Sequence, residues 1–367
     1  MKARLRADLI DLMLTPGLSG HEERVAGVVR SKLSLAGIGS RTDRAGNVIA
    51  SLAGAAGYPS VMVFAHMDQL GFFVRKIEGD GLIRVERMGG VPERATAAQP
   101  VVLCGRTGDV PGVIGNKSHH ATAPEEKHHV LRTPEIAIDT GHRSKAEVEA
   151  AGIGIGTPVV YAPQAMPLAH DRIAGTSIDD RAGCAVLLEL ARVIAGRQQG
   201  ALRDGPTVHI VFSTQEEFNL RGALTAAQAL QPDIAIQIDL MLATDTPGME
   251  DRGEMTLGGG PGISLYSFHG RGTLNGTIPH PAMVALFEDA AQAAGIPLQR
   301  SAQVGVLTDT AYVQLVGQGV ACVDVGFPCR YTHSANEVCD LNDLEALARL
   351  IDCAVGAIPR GMVLERG

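Results

Sequence analysis

No C-x-x-C pair, no excess of basic residues and no apolar run approaching the roughly 18 residues of a membrane span occurs in this chain. Each absence excludes a class. The six cysteines (Cys104, Cys184, Cys322, Cys329, Cys339 and Cys353) lie apart, several in apolar runs such as "VVLC" and "GVACVDV". They read as reduced core residues, which excludes a disulfide framework or a cysteine zinc cluster. The formal charge of −8 is spread along the chain, leaving no electrostatic footprint for nucleic acid or an anionic membrane. The opening "MKARLRADLIDLMLTPGLSG" carries acidic residues inside its apolar stretch, so it reads as an amphipathic helix rather than a signal peptide. The expected location is the cytoplasm. Repeats and low-complexity linkers are also missing.

What is present divides into three stretches. Residues 1–71 read as helix followed by two strands, "GNVIASLAG" and "YPSVMVFAH". Ser19 and Glu22 have capping-box spacing and predict a helix start. Residues 72–167 change texture: short β-type runs such as "GFFVRKI", "QPVVLCGR" and "TPVVYAP" are separated by Gly, Pro and Asp, and only "SKAEVEAAG" looks helical. That spacing predicts a small inserted β-barrel or sandwich. Residues 168–367 alternate helix and strand, as in "RAGCAVLLELARVIAG", "TVHIVFS", "LRGALTAAQAL" and "DIAIQID". The fold class is therefore α/β, a mainly parallel sheet flanked by helices.

In open sheets of this kind, ligands bind beyond the carboxyl ends of the strands. His66 and Asp68 follow "SVMVFA"; Glu216 and Glu217 follow "TVHIVFSTQ"; "IAIQI" ends in Asp239; "ACVDVGFPCRYT" leads to His333; Asp179 and Asp180 open a helix. No Ser–His or Cys–His nucleophile pattern accompanies them. Histidines and carboxylates converging from separate strand ends are the donors of a divalent-metal site. Charge favours two ions, with His66 and Asp239 on one, Glu217 and His333 on the other, and Asp179 bridging. Two dications are then neutralised by three carboxylates and one bridging hydroxide. Adjacent side chains of an extended chain point to opposite sides, which leaves Glu216 free as the general base of a hydrolase. Asp68 is placed to accept the second ring N–H of His66.

The motifs "AHMDQLGFFV", "SIDDRAGCAV", "STQEEFNLRGA", "IQIDLMLATDTPG", "LTDTAY" and "CRYTHSANE" resemble the M42 metallopeptidases. These are aminopeptidases of glutamyl and tetrahedral type, some carrying an endoglucanase label. The resemblance implies a phosphorylase/hydrolase-like zinc peptidase with an inserted PDZ-like β domain used in assembly. It implies two zinc or cobalt ions, manganese being a further candidate. His66, Asp179, Glu217, Asp239 and His333 would be the ligands, with Glu216 as base and Asp68 behind the first histidine. A cis peptide between Asp179 and Asp180 and homo-oligomers from dimer to dodecamer are implied too. The expected substrate is a peptide or small amide.

Departures from the family pattern lie at Gln69, at Phe218 and Asn219, which are expected to change the rim beside the base, and in "SLYSFHGRGTLNGTIPHP". The spacing is not that of a phosphate-binding P-loop and no clear strand precedes it, so His269 and Arg271 are instead candidates to contact a substrate carboxylate. They keep open a second reading, a metal-dependent amidohydrolase acting on a blocked or non-peptide amide. A non-catalytic metal-binding assembly protein is the third. A glycosidase needs two flanking carboxylates and no histidine, which this set does not match. The stretch "HHATAPEEKHH" reads as a loop of the inserted domain near the site entrance.

Overall fold

The computed structural model describes residues 1–198, 204–270 and 276–366. The main sheet is built on four adjacent parallel strands, Val208–Ser213, Val61–His66, Ile234–Leu242 and Ala321–Cys329. Antiparallel strands extend it on both sides, Val48–Leu52 on one and Gly262–Phe268 on the other. Gln299–Val304 pairs in parallel with Gly262–Phe268. Both faces of the parallel strands are covered, so Val61–His66 and Ala321–Cys329 are buried at every residue. Their sequences are correspondingly continuous apolar runs rather than alternating ones.

The larger face packs Val63, Ala65, Ile236, Ile238, Val323 and Val325 against the helices Lys2–Met13, Glu23–Leu35, Ile178–Gln198, Pro281–Ala294 and Leu341–Ala357. On the smaller face Met62, Phe64 and Cys322 meet Ala223, Ala227 and Val313. Ile178–Gln198 is the central helix, with residues 178–191 buried all round, as its nearly unbroken "AGCAVLLELA" requires. Leu341–Ala357 starts where the Asp340 side chain accepts the Asn342 N–H, a standard N-cap.

Between residues 71 and 161, six short strands close into a barrel: Gly71–Ile77, Ile83–Met88, Pro100–Gly105, Gly108–Ile114, Ile138–Asp139 and Pro158–Tyr161. The barrel has its own core of Phe72, Val85, Leu103, Ile114, Ile138 and Val159. Its one α-helix, Lys145–Ala150, is capped by Ser144. The separate strands Ala165–Pro167, Arg172–Gly175 and Glu337–Asp340 form a small antiparallel sheet.

Several local expectations are corrected. Glu22, not Ser19, occupies the N-cap position of Glu23–Leu35, and its side chain makes no bond to that helix. The strand ending in Asp239 runs on to Leu242. A strand does precede His269, namely Gly262–Phe268. Gln69, one of the departures from the family pattern, is buried, 4% exposed. Cys353 is exposed and Cys104 half-buried, while the other four cysteines are buried and all six are free. Arg271 lies outside the described residues. Among the described residues no helix is long and apolar enough to cross a membrane.

Candidate metal centre

The parallel strands end together, and that is where the histidines and carboxylates meet. His66 is the last residue of its strand. Glu216 and Glu217 follow Ser213 in a tight loop, and Asp179 sits at the head of the central helix, joined to Asp180 by a cis peptide. His333 lies on the loop between Ala321–Cys329 and Glu337–Asp340. Ser177, Gln215, Asn219, Leu220, Tyr331 and His333 are all left-handed, with φ from 55° to 67°. Such non-glycine conformations are held only where the surroundings over-determine them, and they gather at functional sites.

Asp179 is the hub. Its Oδ1 lies 3.1 Å from His66 Nε2 and its Oδ2 3.3 Å from His333 Nε2. His333 Nε2 is also 3.8 Å from Glu217 Oε1. Two overlapping triads result, His66–Asp179–Asp239 and Asp179–Glu217–His333, each with one donor atom per residue within 4.8 Å of the others. Both imidazoles are oriented alike. His66 Nδ1 faces the Asp68 carbonyl at 3.2 Å, and His333 Nδ1 faces the Gly90 carbonyl at 3.1 Å. A ring N–H donated to a carbonyl leaves the other nitrogen, Nε2, as a lone-pair donor aimed at the hub. Glu217 Oε1 is buried and takes no hydrogen bond. A buried carboxylate oxygen without a proton donor, beside two imidazole lone pairs, fits a hard or borderline dication.

The electrostatics agree. Burial pushes Glu217 up to about 7 and Glu216 and Asp239 well above the carboxylate range, Asp179 adding to the rise at Asp239. Burial alone would raise Asp179 as well, but without an ion each imidazole carries a second proton on Nε2, and hydrogen bonds from His333 and His66 outweigh burial and hold the carboxyl below its ordinary value. For His66, burial opposes protonation, yet Asp179 and Asp68 carry the imidazole well above its usual range. His333 rises too, against the pull of burial, through Glu217 and Asp179. Its side chain is 36% exposed, so water screens part of that rise. Four carboxylates against two imidazoles accommodate further positive charge.

Glu216 stands beside the triads, its Oε2 4.0 Å from His66 Nε2. It lines a cavity of about 670 Å³ together with Leu240, Leu242, Val306, Leu307 and Tyr312. Asp68 does more than face His66, whose Nδ1 is 3.4 Å from its Oδ1. Its two carboxylate oxygens accept the N–H groups of Glu216 and Glu217, both at 3.0 Å. The pair of glutamates is thus anchored through its backbone.

The residues that support the ligands carry weaker signals in the sequence. Glu337, buried, accepts the N–H of Asp179 at 3.0 Å and that of His333 at 2.6 Å. Gln237 donates to Asp239 Oδ2 at 3.0 Å and accepts the Thr310 N–H at 2.9 Å. Glu337 closes the "THSANE" run, four residues beyond His333, and a carboxylate so near a candidate ligand is the available signal. His269 lines the cavity, and Phe218 lies at the surface with the Arg221 guanidinium 4.3 Å over its ring. Asn219 lines the cavity as expected of a rim residue, whereas His119, His120, His128 and His129 do not.

The sequence profile of the M42 glutamyl aminopeptidases matches residues 46–350. SgcX of Escherichia coli (strain K12) is 37% identical, over 97% of this chain and 94% of that one. Aminopeptidase APDkam598 of the archaeon Desulfurococcus kamchatkensis superposes with a TM-score of 0.87 at 32% identity, covering 99% of both chains. The TET1 peptidase of Pyrococcus horikoshii, which can assemble into a tetrahedron or a large octahedral shell, gives 0.83 at 26% identity, covering 96% of this chain and 99% of that one. With the profile spanning most of the chain and the fold shared from end to end, the protein belongs to the M42 glutamyl aminopeptidase family and is a peptide hydrolase.

Proposed function

We propose that the protein is a dinuclear-metal-dependent aminopeptidase that removes N-terminal residues from peptides, with Glu216 as general base. The supporting observation is the shared carboxylate, Asp179, common to both triads while Glu216 stays outside them. His66 and Asp239 would hold one ion, Glu217 and His333 the other, and Asp179 both. Zinc, cobalt or manganese suits these nitrogen and oxygen donors. Two such ions, when bound, would supply Lewis acidity to activate the attacking water and polarise the scissile carbonyl.

The chain's own residues do the rest. Glu216 accepts the proton of the attacking water at its carboxylate and hands it to the leaving amine nitrogen. Asp68 fixes the direction of both glutamates through their N–H groups, and Glu337 fixes the loops carrying Asp179 and His333. The apolar lining of Leu240, Leu242, Val306 and Leu307 receives a neutral substrate side chain and sheds water around the reacting bond.

We further read residues 72–167 as the family's PDZ-like assembly domain, inserted between catalytic segments 1–71 and 168–367. A homo-oligomer and a cytoplasmic location complete the reading. The departures at Phe218 and Asn219 keep a second reading, an amidohydrolase acting on blocked amides, because Asn219 lines the cavity beside Glu216.

Metal-stripped protein supplied with zinc, cobalt or manganese and a panel of aminoacyl and N-acyl amides separates the two. Restored cleavage of free-amine substrates is the expected result. Cleavage of blocked amides alone transfers the site to the second reading, and failure on both classes with two ions bound overturns the catalytic assignment.

A further inference from the structure

The loop that carries Glu216 is held from two directions, and only one of them belongs to the metal-bearing strand ends. Its three consecutive N–H groups, from Gln215, Glu216 and Glu217, all point into carboxylates. Asp68 takes the last two. The first is taken by Glu22, whose Oε1 accepts the Gln215 N–H at 3.1 Å and the Gly20 N–H at 2.7 Å. Gln215 is left-handed, φ 55°, a conformation a glutamine keeps only when its surroundings hold it.

Glu22 heads the helix Glu23–Leu35, yet its side chain makes no capping bond to that helix. It is 5% exposed, and a carboxylate so buried has to be satisfied by donors. Here they come from its own turn and from the base loop. Burial, then the nearby Asp68, push Glu22 up to about 7. Its acceptor oxygen therefore serves in the acid as well as in the anion.

The segment around Glu22 is fastened to the site's underside. Gly17 donates its N–H to Gln69 Oε1 at 3.1 Å, and the Gly17 carbonyl accepts the Gln69 N–H at 3.0 Å. The Ser19 N–H donates to the Gln69 carbonyl at 3.1 Å. The fully buried Arg181, two residues after Asp179, reaches Gln69 Oε1 at 3.2 Å and the Gly17 carbonyl at 3.4 Å. Residues 17–22 are thus tied at once to the segment behind His66, to the central helix and to the base loop.

We infer that Glu22 is a positioning residue for the hydrolytic reaction: it fixes the backbone at Gln215 and thereby sets where the Glu216 carboxylate stands over the metal centre. The inference rests on Glu216 being the base. Glu22 touches neither ligand nor substrate, so its removal leaves metal stoichiometry and substrate binding in place while turnover falls.

The test is a series of E22A, E22Q and E22D, read by kcat and KM on a cleaved aminoacyl amide, by zinc titration calorimetry, and by hydrogen exchange of the Gln215 amide. E22A is expected to lower kcat about 10–100-fold, the range for residues that orient a site from behind. KM and zinc stoichiometry stay unchanged, and Gln215 exchange becomes faster. E22Q keeps an acceptor oxygen at the same place, so it restores slow exchange and most of kcat. If E22A does not fold, E22D withdraws the acceptor by one methylene and carries the same expectation. Unchanged kcat and unchanged exchange in E22A and E22D overturn the inference, as does an E22Q as impaired as E22A. Exchange is read without turnover, so a wild-type protein inactive on every amide would sink the proposed function and leave the loop anchoring separately measurable.

Discussion

The main sheet and the barrel solve burial in opposite ways. Strands Val61–His66 and Ala321–Cys329 are buried at every position, whereas Gly108–Ile114 in the barrel is mostly exposed and buries only Gly112 and Ile114. A two-sided sheet ends in a dry floor, and polar side chains at its strand ends are desolvated by the packing below them. Glu216, Glu217 and Asp239 owe their raised pKa values first to that burial. The barrel, one-sided and wet outside, contributes edges instead: the Gly90 carbonyl that orients His333, and Pro92 on the cavity wall. Chemistry collects where burial is forced on both faces, and the one-sided module is left to orient and cover.

The largest expected effect falls on the sheet side of this comparison. Glu216→Gln removes the proposed proton acceptor while leaving both triads intact, so turnover is expected to fall about 10²–10⁴-fold. Zinc titration calorimetry should still count two ions. Retained turnover would move the base elsewhere.

A truncation confined to the barrel should separate the modules energetically. Leu103 is fully buried in the barrel core, and Leu103→Ala is expected to cost about 2–5 kcal/mol in denaturant unfolding. Zinc stoichiometry should not change, because no metal-site donor comes from that core. Loss of zinc binding in a folded variant would show that the barrel shapes the centre more deeply than Gly90 alone.

At the seam between the modules, a Cβ on Gly90 would lie 2.7 Å from His333 Nδ1 and 2.9 Å from its Cε1. Gly90→Ala must therefore displace the imidazole. Metal affinity is expected to fall about 10–100-fold, read as a shifted zinc binding isotherm.

Protonation sharpens the contrast. Glu217 and Asp309 are raised to about 7 and Glu337 to about 8, burial being the first cause for each. Above the ordinary carboxylate range the unfolded chain has released these protons and the folded chain still holds them. Stability therefore falls as pH rises through the interval from about 4.5 to 8. The raised histidines act in the same sense above their ordinary value. Metal-stripped protein should lose thermal stability across that window, and zinc, which stabilises the ionised carboxylates, should flatten the profile. A melting temperature independent of pH without metal would contradict the desolvated floor.

The smallest effect concerns the substrate. Among the described residues, those lining the cavity include no lysine or arginine to meet an acidic side chain, while Leu240, Leu242, Val306 and Leu307 offer apolar wall. Leucyl amides should exceed glutamyl amides in kcat/KM by about tenfold, a hydrophobic-pocket margin. The reverse order would place a cation at the wall.

Much of this architecture is legible in the chain. Continuous apolar runs mark the parallel strands, short runs between Gly and Pro mark the barrel, and strand-end placement alone singles out His66, Glu216, Glu217 and Asp239. The expectations that fail share one cause. Ser19 and Glu22 match a capping box in spacing, but spacing says nothing of what lies across the fold, and the carboxylate turns to Gln215 instead. Gln69, whose surroundings the motif leaves open, is drawn inward by Gly17 and Arg181. The strand at Gly262–Phe268 has little local signature, because its polar, glycine-flanked sequence is stabilised by pairing with Ala321–Cys329 and Gln299–Val304.

Apolar periodicity and strand-end chemistry are local properties of the chain, and the fold class, the small barrel and the identities of the converging side chains follow from them. Three-dimensional packing alone settles that the Gly90 and Asp68 carbonyls turn both imidazoles the same way, and that Glu22, Asp68 and Glu337 hold the site's backbone from behind. Those are contacts between residues far apart in the chain, and their partners are chosen by packing, which no local pattern encodes.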